Sequence, residues 1–201
     1  MHGSIVQTVG NFGWGYRKLS GWAWCGHIHS ITCCIRKINM FVITAPDNIA
    51  KASRPFVFLG GCTQSRLCGI TKCPEWQDEI IRLLLYIDKG TLFNPCRKNS
   101  TIDAHEPTLE QVQWEFNALE QADIFSMWFC NANSDQPICM YELGRHLAIK
   151  KIDDIVLGIE PGYRRERDVR IQTHLATDCY LPIQTTIEKH AMAIAQAVND
   201  Y

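Results

Sequence analysis

Ile124-Phe125-Ser126-Met127-Trp128-Phe129, followed by the polar run Asn131 to Gln136, then Pro137 and Tyr141-Glu142-Leu143-Gly144-Arg145, reads as strand, loop and helix in immediate succession. A short apolar run bounded by turn residues has the character of a buried strand. Proline suits a helical first turn, because the N–H it lacks would have no intrahelical partner there. The three pieces converge on Glu142. In parallel α/β sheets ligands bind where strands end at their carboxyl edge, so this acid is expected in a crevice. The helix dipole would favour its ionised form, and an ionised carboxylate can attack a sugar carbon. Gly144, with no side chain, is expected to let the helix pack closely on the sheet. On this segment alone, a surface carboxylate in a first helical turn is the commoner role for such a Glu.

The same alternation extends in both directions. Phe56-Val57-Phe58-Leu59 followed by Gly60-Gly61-Cys62-Thr63-Gln64-Ser65 reads as a buried strand feeding a tight polar loop. Helical patterns are predicted for Trp76 to Tyr86, Leu109 to Gln121, Cys139 to Lys150 and Thr186 to Val198. Further strands are predicted at Thr91-Leu92-Phe93, stopped by Asn94-Pro95, at Ile155 to Ile159, and near Cys179 to Leu181. Strands alternating with helices imply an α/β fold: a doubly wound, flavodoxin/Rossmann-like parallel sheet of about five strands with helices on both faces. Residues 1–53 differ. Gly and Trp recur there without periodicity, so they are predicted to be an irregular amino-terminal extension to a domain spanning 54–201.

Lys and Arg number 20 against 21 Asp and Glu, a net charge of -1, which implies no general attraction to nucleic acid or membrane and favours a small-molecule partner. No apolar run approaches the roughly 20 residues of a membrane span, and the amino terminus lacks the order of a secretory signal, so a cytoplasmic protein is expected. Ten cysteines without a regular framework read as free thiols. Cys62, Cys68 and Cys73 are separated by six and five residues, which matches no common zinc pattern, so no metal is expected. Cys62 can touch a ligand from the first loop, although a buried cysteine is more often inert.

No Gly-x-Gly-x-x-Gly follows the first strand and no Gly-x-x-x-x-Gly-Lys-Ser/Thr loop is present, which removes the common dinucleotide and P-loop fingerprints. The polar residues left at element ends are mostly acids and amides. Cleaving an N-glycosidic bond calls for such a set, one carboxylate to capture the oxocarbenium-like sugar and a second group for the proton of the departing base.

Phe56 to Gly61, Trp76-Gln77-Asp78-Glu79, Asn94-Pro95, Gln113-Trp114-Glu115, Gln121-Ala122-Asp123 and Tyr141-Glu142-Leu143-Gly144 together resemble the nucleoside 2-deoxyribosyltransferase-like proteins, which include nucleotide N-glycosidases. The resemblance covers residues 56 to 176, and the order and spacing of the pieces carry it. It implies that Glu142 is the nucleophile. It also implies that Glu115, eight residues before Asp123, is an acid contacting substrate and handling the proton. Asp123 is a weaker catalytic candidate, since it suits a helix-to-strand cap. Gly60 and Gly61 would lie against base, sugar or phosphate, because glycine permits close backbone approach. Trp114, Trp76 and Tyr141 are stacking candidates, although aromatics at helical spacing are usually core. Asn94 and Arg97 are candidates for ribose or phosphate.

One position departs from the family pattern. Deoxyribosyltransferases usually carry an Asp six residues before the nucleophile, where this chain has Gln136. Hydrolysis of a (deoxy)nucleoside or nucleoside monophosphate therefore stands beside transfer, with no metal or organic cofactor. The alternatives are a catalytically inactive nucleotide-sensing domain of the same fold and an NAD glycohydrolase. The resemblance further implies a homo-oligomer. Gly162-Tyr163-Arg164-Arg165 and Asp168 to Thr173 also look like a segment of the group, with no assigned role.

Overall fold

The structure is a computed structural model that describes residues 40–62, 75–97, 108–132, 134–178 and 181–201. The Gly/Trp-rich stretch before Met40, the end of the first loop with Cys68 and Cys73, and Cys179 lie outside these residues.

Among the described residues six strands form one all-parallel sheet. In chain order they are β1 (Phe41–Thr44), β2 (Phe56–Gly61), β3 (Thr91–Asn94), β4 (Ile124–Phe129), β5 (Ile155–Ile159) and β6 (Ile183–Gln184). The helices are α1 (Glu75–Leu84), α2 (Leu109–Gln121), α3 (Pro137–Ile149), α4 (Glu166–Thr177) and α5 (Ile187–Asp200). The strand order is β1-β3-β2-β4-β5-β6. Parallel neighbours need crossover connections, and these helices supply them.

Each strand serves two cores, as a period of two requires. From β4, Phe125, Met127 and Phe129 face a cluster with Trp114, Ala118 and Leu119 of α2, Leu143 of α3 and Val169 of α4. Ile124 and Trp128 face the other side, with Trp76, Ile80 and Leu84 of α1 and Ala191, Ile194 and Val198 of α5. Helices thus cover both faces, which is why β4 is buried at every position and reads as an uninterrupted apolar run.

The expected extension gives up its last residues to the sheet. The described residues from Met40 onward belong to one compact unit, and β1 pairs with β3 from Phe41↔Thr91 to Thr44↔Asn94. Met40, Ile43 and Ala45 are buried. A four-residue edge strand is too short to show periodicity, so the boundary predicted at residue 54 falls after the sheet has begun. The final strand is two residues long and lies at Ile183–Gln184, later than predicted. Helix α4 was not anticipated. Its charged sequence buries only Val169 and Thr173, leaving a weak apolar signal. Among the described residues no helix is long and apolar enough to cross a membrane.

Two glycines make opposite demands. A Cβ on Gly158 of β5 would collide with the Trp128 ring and come within 2.7 Å of His190 Nδ1. His190 is fully buried, with Nε2 2.9 Å from Ser126 Oγ, and burial pushes its pKa down to about 3. A Cβ on Gly144 would meet nothing within 4 Å, so it is not the close-packing point expected from the sequence. Gly158→Ala is expected to destabilise the fold by about 1–3 kcal/mol through overpacking. Gly144→Ala is expected to stabilise it by about 0.5–1 kcal/mol through helix propensity. Denaturant unfolding of the two variants checks the pair of signs.

Candidate active site

The crossovers from β2 and β4 leave toward opposite faces of the sheet, α1 to one side and α3 to the other, which opens a crevice at their carboxyl ends. A cavity of about 400 Å³ lies there, within the size range of small-molecule sites. Phe58, Gly60, Gly61 and Cys62 of β2 and its exit line one side, α2 another, and the loop before α3 and α3 itself the rest.

Helix α2 begins at a Thr108 cap, whose hydroxyl accepts from Gln111 N–H at 3.2 Å. That start presents Gln111 and Glu115, one turn apart, to the cavity, and Gln111 Nε2 donates to Glu115 Oε1 at 3.0 Å. Helix α3 starts with Pro137 after Gln136, which holds a left-handed conformation at φ 51°. Gln136 makes no side-chain cap. Its amide instead clamps the end of β4, donating from Nε2 to the Cys130 carbonyl at 2.7 Å and accepting from Cys130 N–H at 3.3 Å. The same loop is braced from β5's exit, where Tyr163 donates its hydroxyl to the Asp135 carbonyl at 2.7 Å and Arg164 pairs with Asp135.

Glu142 lines this cavity from the second turn of α3, together with Glu115. Its carboxyl pKa is pushed up to about 7, first by burial and second by the negative charge of Glu115. The expectation that the helix dipole would favour its ionised form is reversed. A dipole contributes about 0.3–1 kcal/mol at the surface and fades beyond the first turn. The shift to about 7 corresponds to roughly 3 kcal/mol in the other direction. Burial also raises the Glu115 pKa, opposed by the Gln111 hydrogen bond and by the charge of Arg97. Two such groups titrate as a pair.

The other predicted residues divide clearly. Gly60, Gly61, Cys62 and Tyr141 line the cavity, Tyr141 with 71% of its surface exposed at the rim. Gly61 is required there, since a Cβ would strike the Trp76 ring and lie 2.6 Å from the Trp128 carbonyl oxygen. Trp76 is core below the loop, donating from Nε1 to the Cys62 carbonyl at 3.3 Å. Trp114 is not a cavity residue. It packs edge-on against Phe93 and donates to the Asp47 carbonyl at 2.8 Å. Asn94 is buried and caps its own loop by accepting from Cys96 N–H at 3.0 Å.

Asp123 stands at the amino end of β4, the opposite edge of the sheet. There it accepts from Phe56 N–H at 2.8 Å and pairs with Arg54 and the Tyr201 hydroxyl. It is a strand-end anchor, because a residue preceding a parallel strand starts at the amino edge while the cavity opens at the carboxyl edge. Arg97 follows β3 and acts on Glu115 through its charge.

Several lining residues were not singled out from the sequence: Gln111, Arg145, His146 and Cys139. Gln111 and His146 could have been found as i−4 and i+4 neighbours of the two acids. His146 is buried, stacked on Phe125 at 4.3 Å, with Nδ1 2.8 Å from the Glu142 carbonyl. Burial lowers its pKa and favours the neutral ring. Arg145 is held by Glu120 at 2.5 Å and lies over the Phe116 ring. Among the described residues no three His, Cys, Asp or Glu side chains converge to hold a metal ion.

The fold and this cavity define an α/β protein with a cleft at the switch point of a parallel sheet, lined by two carboxyl groups. Residues 54–163 match the family model described as "Nucleoside 2-deoxyribosyltransferase like", and the chain belongs to that family. Membership gives the general class, a nucleoside deoxyribosyltransferase-like enzyme of transferase or glycosidase type. No curated protein matches the sequence.

Holding Glu142 ionised inside the fold has a cost whose pH dependence is fixed in sign. An unfolded Glu titrates near 4.5 and the folded group near 7, so the native state holds the extra proton between these values. Stability falls as pH rises through that window, and the full cost is present above it. Glu142→Gln is therefore expected to raise stability by about 1–3 kcal/mol at pH 8, with the gain vanishing below pH ~4.5. Thermal unfolding across pH measures this, and a gain independent of pH would contradict it.

Proposed function

We propose that the protein cleaves the N-glycosidic bond of a nucleoside or nucleotide, with Glu142 as nucleophile and Glu115 as its proton partner. The observation that carries this reading is the placement of both carboxyl groups in one partly desolvated cavity, with the Glu142 pKa raised to about 7. Raised and mutually coupled carboxyl groups in a cleft are a mark of acid–base sites.

The step balances within the pair. The ionised Glu142 carboxylate forms a bond to the anomeric carbon while the C–N bond breaks and its electron pair goes to the base. Glu115 delivers the proton the departing base requires. The glycosyl–Glu142 ester is then opened by water, giving hydrolysis, or by a second base, giving transfer. Gln111, bonded to Glu115, fixes the orientation of that carboxyl group. The apolar walls, Phe58 and Leu119 among them, keep the site poorly hydrated and strengthen the charges inside it.

One proton per pair is the productive state, in the form that carries it on Glu115 and leaves Glu142 ionised. With the proton on Glu142, where burial and the Glu115 charge favour it below pH 7, the pair is not poised to react. Proton loss near pH 7 leaves both groups charged, so kcat/KM is expected to fall on the alkaline side with a limb near 7. Glu115→Gln is expected to lower kcat/KM by about 10²–10⁴-fold and to abolish that limb. Glu142→Ala should lose about a thousandfold or more. Chromatographic release of free base from a panel of nucleosides and monophosphates measures all three. Unchanged release in Glu142→Ala sinks the reading.

A further inference from the structure

Gly162-Tyr163-Arg164-Arg165 takes no part in the chemistry of the two acids, yet Tyr163 reaches the loop that positions one of them. Tyr163 is 3% exposed and does not line the cavity, so no ligand there touches it. Its ring stacks on Phe129, the last residue of β4, at 5.2 Å. A phenylalanine would serve that packing equally. The hydroxyl is the part that packing does not explain, and it donates to the Asp135 carbonyl at 2.7 Å. Burial pushes its pKa up to about 12, so it remains a donor through the neutral range.

The Asp135 carbonyl belongs to the peptide that joins Asp135 to Gln136. The N–H at the other end of that peptide donates to Ser134 Oγ at 3.1 Å. Both polar groups of one peptide plane are therefore pinned, and the tilt of the plane sets φ of Gln136 at its left-handed 51°. A residue with a side chain keeps such a conformation only where its surroundings hold it. The hold matters because α3 is weakly fixed at its start. Thr108 and Thr186 cap α2 and α5 with their hydroxyls, whereas Gln136 makes no side-chain cap, and of residues 137–140 only Cys139 is buried.

Tyr163 is carried to the loop by a turn that is itself tied to the sheet. Gly162 sits at φ 92°, and Tyr163 N–H donates to the Glu160 carbonyl at 3.1 Å. Asn131, just beyond β4, donates its N–H to Glu160 Oε2 at 2.8 Å and its Nδ2 to the Pro161 carbonyl at 3.3 Å. The hydroxyl thus passes the position of two strand ends on to α3. Arg164 meets the same loop through the Asp135 carboxylate, but those side chains are 56% and 54% exposed, where water and salt weaken an ion pair. Of the two braces, the buried hydroxyl is the stronger.

We propose that Tyr163 is a positioning residue for Glu142: its hydroxyl, acting through the peptide between Asp135 and Gln136, fixes the start of α3 and so the depth at which Glu142 enters the cavity. The catalytic consequence rests on the reading of Glu142 as nucleophile. The placement of the carboxyl group is measurable without turnover.

Tyr163→Phe keeps the ring and removes only the hydroxyl. With α3 released at its start, water reaches the Glu142 carboxyl and burial holds its proton less firmly. Carbon NMR of that carboxyl across pH, assigned with Glu142→Gln in the full chain, is expected to show titration near 7 in the unaltered protein. In Tyr163→Phe the midpoint is expected to fall by about one pH unit or more. The titratable groups that share the cavity are Glu115 from α2, Cys62 from β2's exit, and Cys139, Arg145 and His146 from α3, and that variant alters none of them. By base release, kcat is expected to drop about 10–100-fold with KM changed by no more than about twofold. Easier ionisation of Glu142 alone would raise kcat, so a fall reports lost position. Tyr163→para-aminophenylalanine keeps a donor at the same place and should retain both the titration and the rate, while Arg164→Gln should cost at most about threefold. A Glu142 titration unmoved in Tyr163→Phe, a loss as large in Arg164→Gln, or a loss carried wholly by KM overturns the proposal. Thermal unfolding checks that each variant is folded. If the unaltered protein releases no base, the catalytic reading fails and the NMR titration alone decides the role of Tyr163.

Discussion

The reversal of winding between β2 and β4 is the constraint from which the site follows. Adjacent parallel strands whose crossovers leave to opposite faces cannot both have their carboxyl ends covered, so a crevice opens there. In this chain it opens between Gly60-Gly61 and the loop leading to α3. β4, buried on both faces, fixes where that loop departs. Gln136 holds the departure by bonding both backbone groups of Cys130. Helix α3 can then turn Glu142 toward α2, and α2 turns Glu115 toward it. Neither acid is placed by its own neighbours in sequence. Each is aimed by a helix whose starting point is fixed, by Thr108 in one case and by the braced Asp135-Gln136 loop in the other.

Sequence and structure agree most where burial is two-sided. β2, β4 and β5 are continuous apolar runs because helices cover both faces, and such runs are legible without knowledge of partners. Helix α2 was legible to its end residues, since Trp114, Ala118 and Leu119 repeat at helical spacing. β1 and β6 were not anticipated at their actual positions, because four and two residues carry no period. α4 escaped because charged side chains dominate it and its i, i+4 pair Val169 and Thr173 is slight. Of the residues that line the cavity, Glu115, Glu142, Gly60 and Gly61 were legible. The site was opaque in Asp123, whose place in a shared motif does not reveal which edge of the sheet it occupies, and in Asn94 and Trp114, whose polar atoms are consumed by Cys96 and Asp47. Electrostatics was the least legible property. A helix start argues for an ionised Glu142, and burial, with the charge of Glu115 behind it, reverses the sign.

Gln136 bears on the choice between transfer and hydrolysis. At this position relatives of the deoxyribosyltransferase type are expected to carry an acid, and an ionised acid could not make the bonds that the amide makes here. A carboxylate accepts but does not donate, so it could take the Cys130 N–H and would face the Cys130 carbonyl with like charge. The bonds that hold α3 in place therefore require a group with both a donor and an acceptor. The result is a cavity whose carboxyl chemistry, among the described residues, rests on Glu115 and Glu142. Two acids sharing one proton suffice to open a glycosidic bond, since one attacks and the other protonates the leaving base. In the proposed reaction Glu115 is then ionised beside the new ester, placed to take a proton from whatever nucleophile arrives. Water needs nothing more than this, whereas a second base would also need a surface to orient it. Within the proposed reaction the arrangement favours hydrolysis on that ground, and the asymmetry comes from a single amide having been committed to holding the backbone.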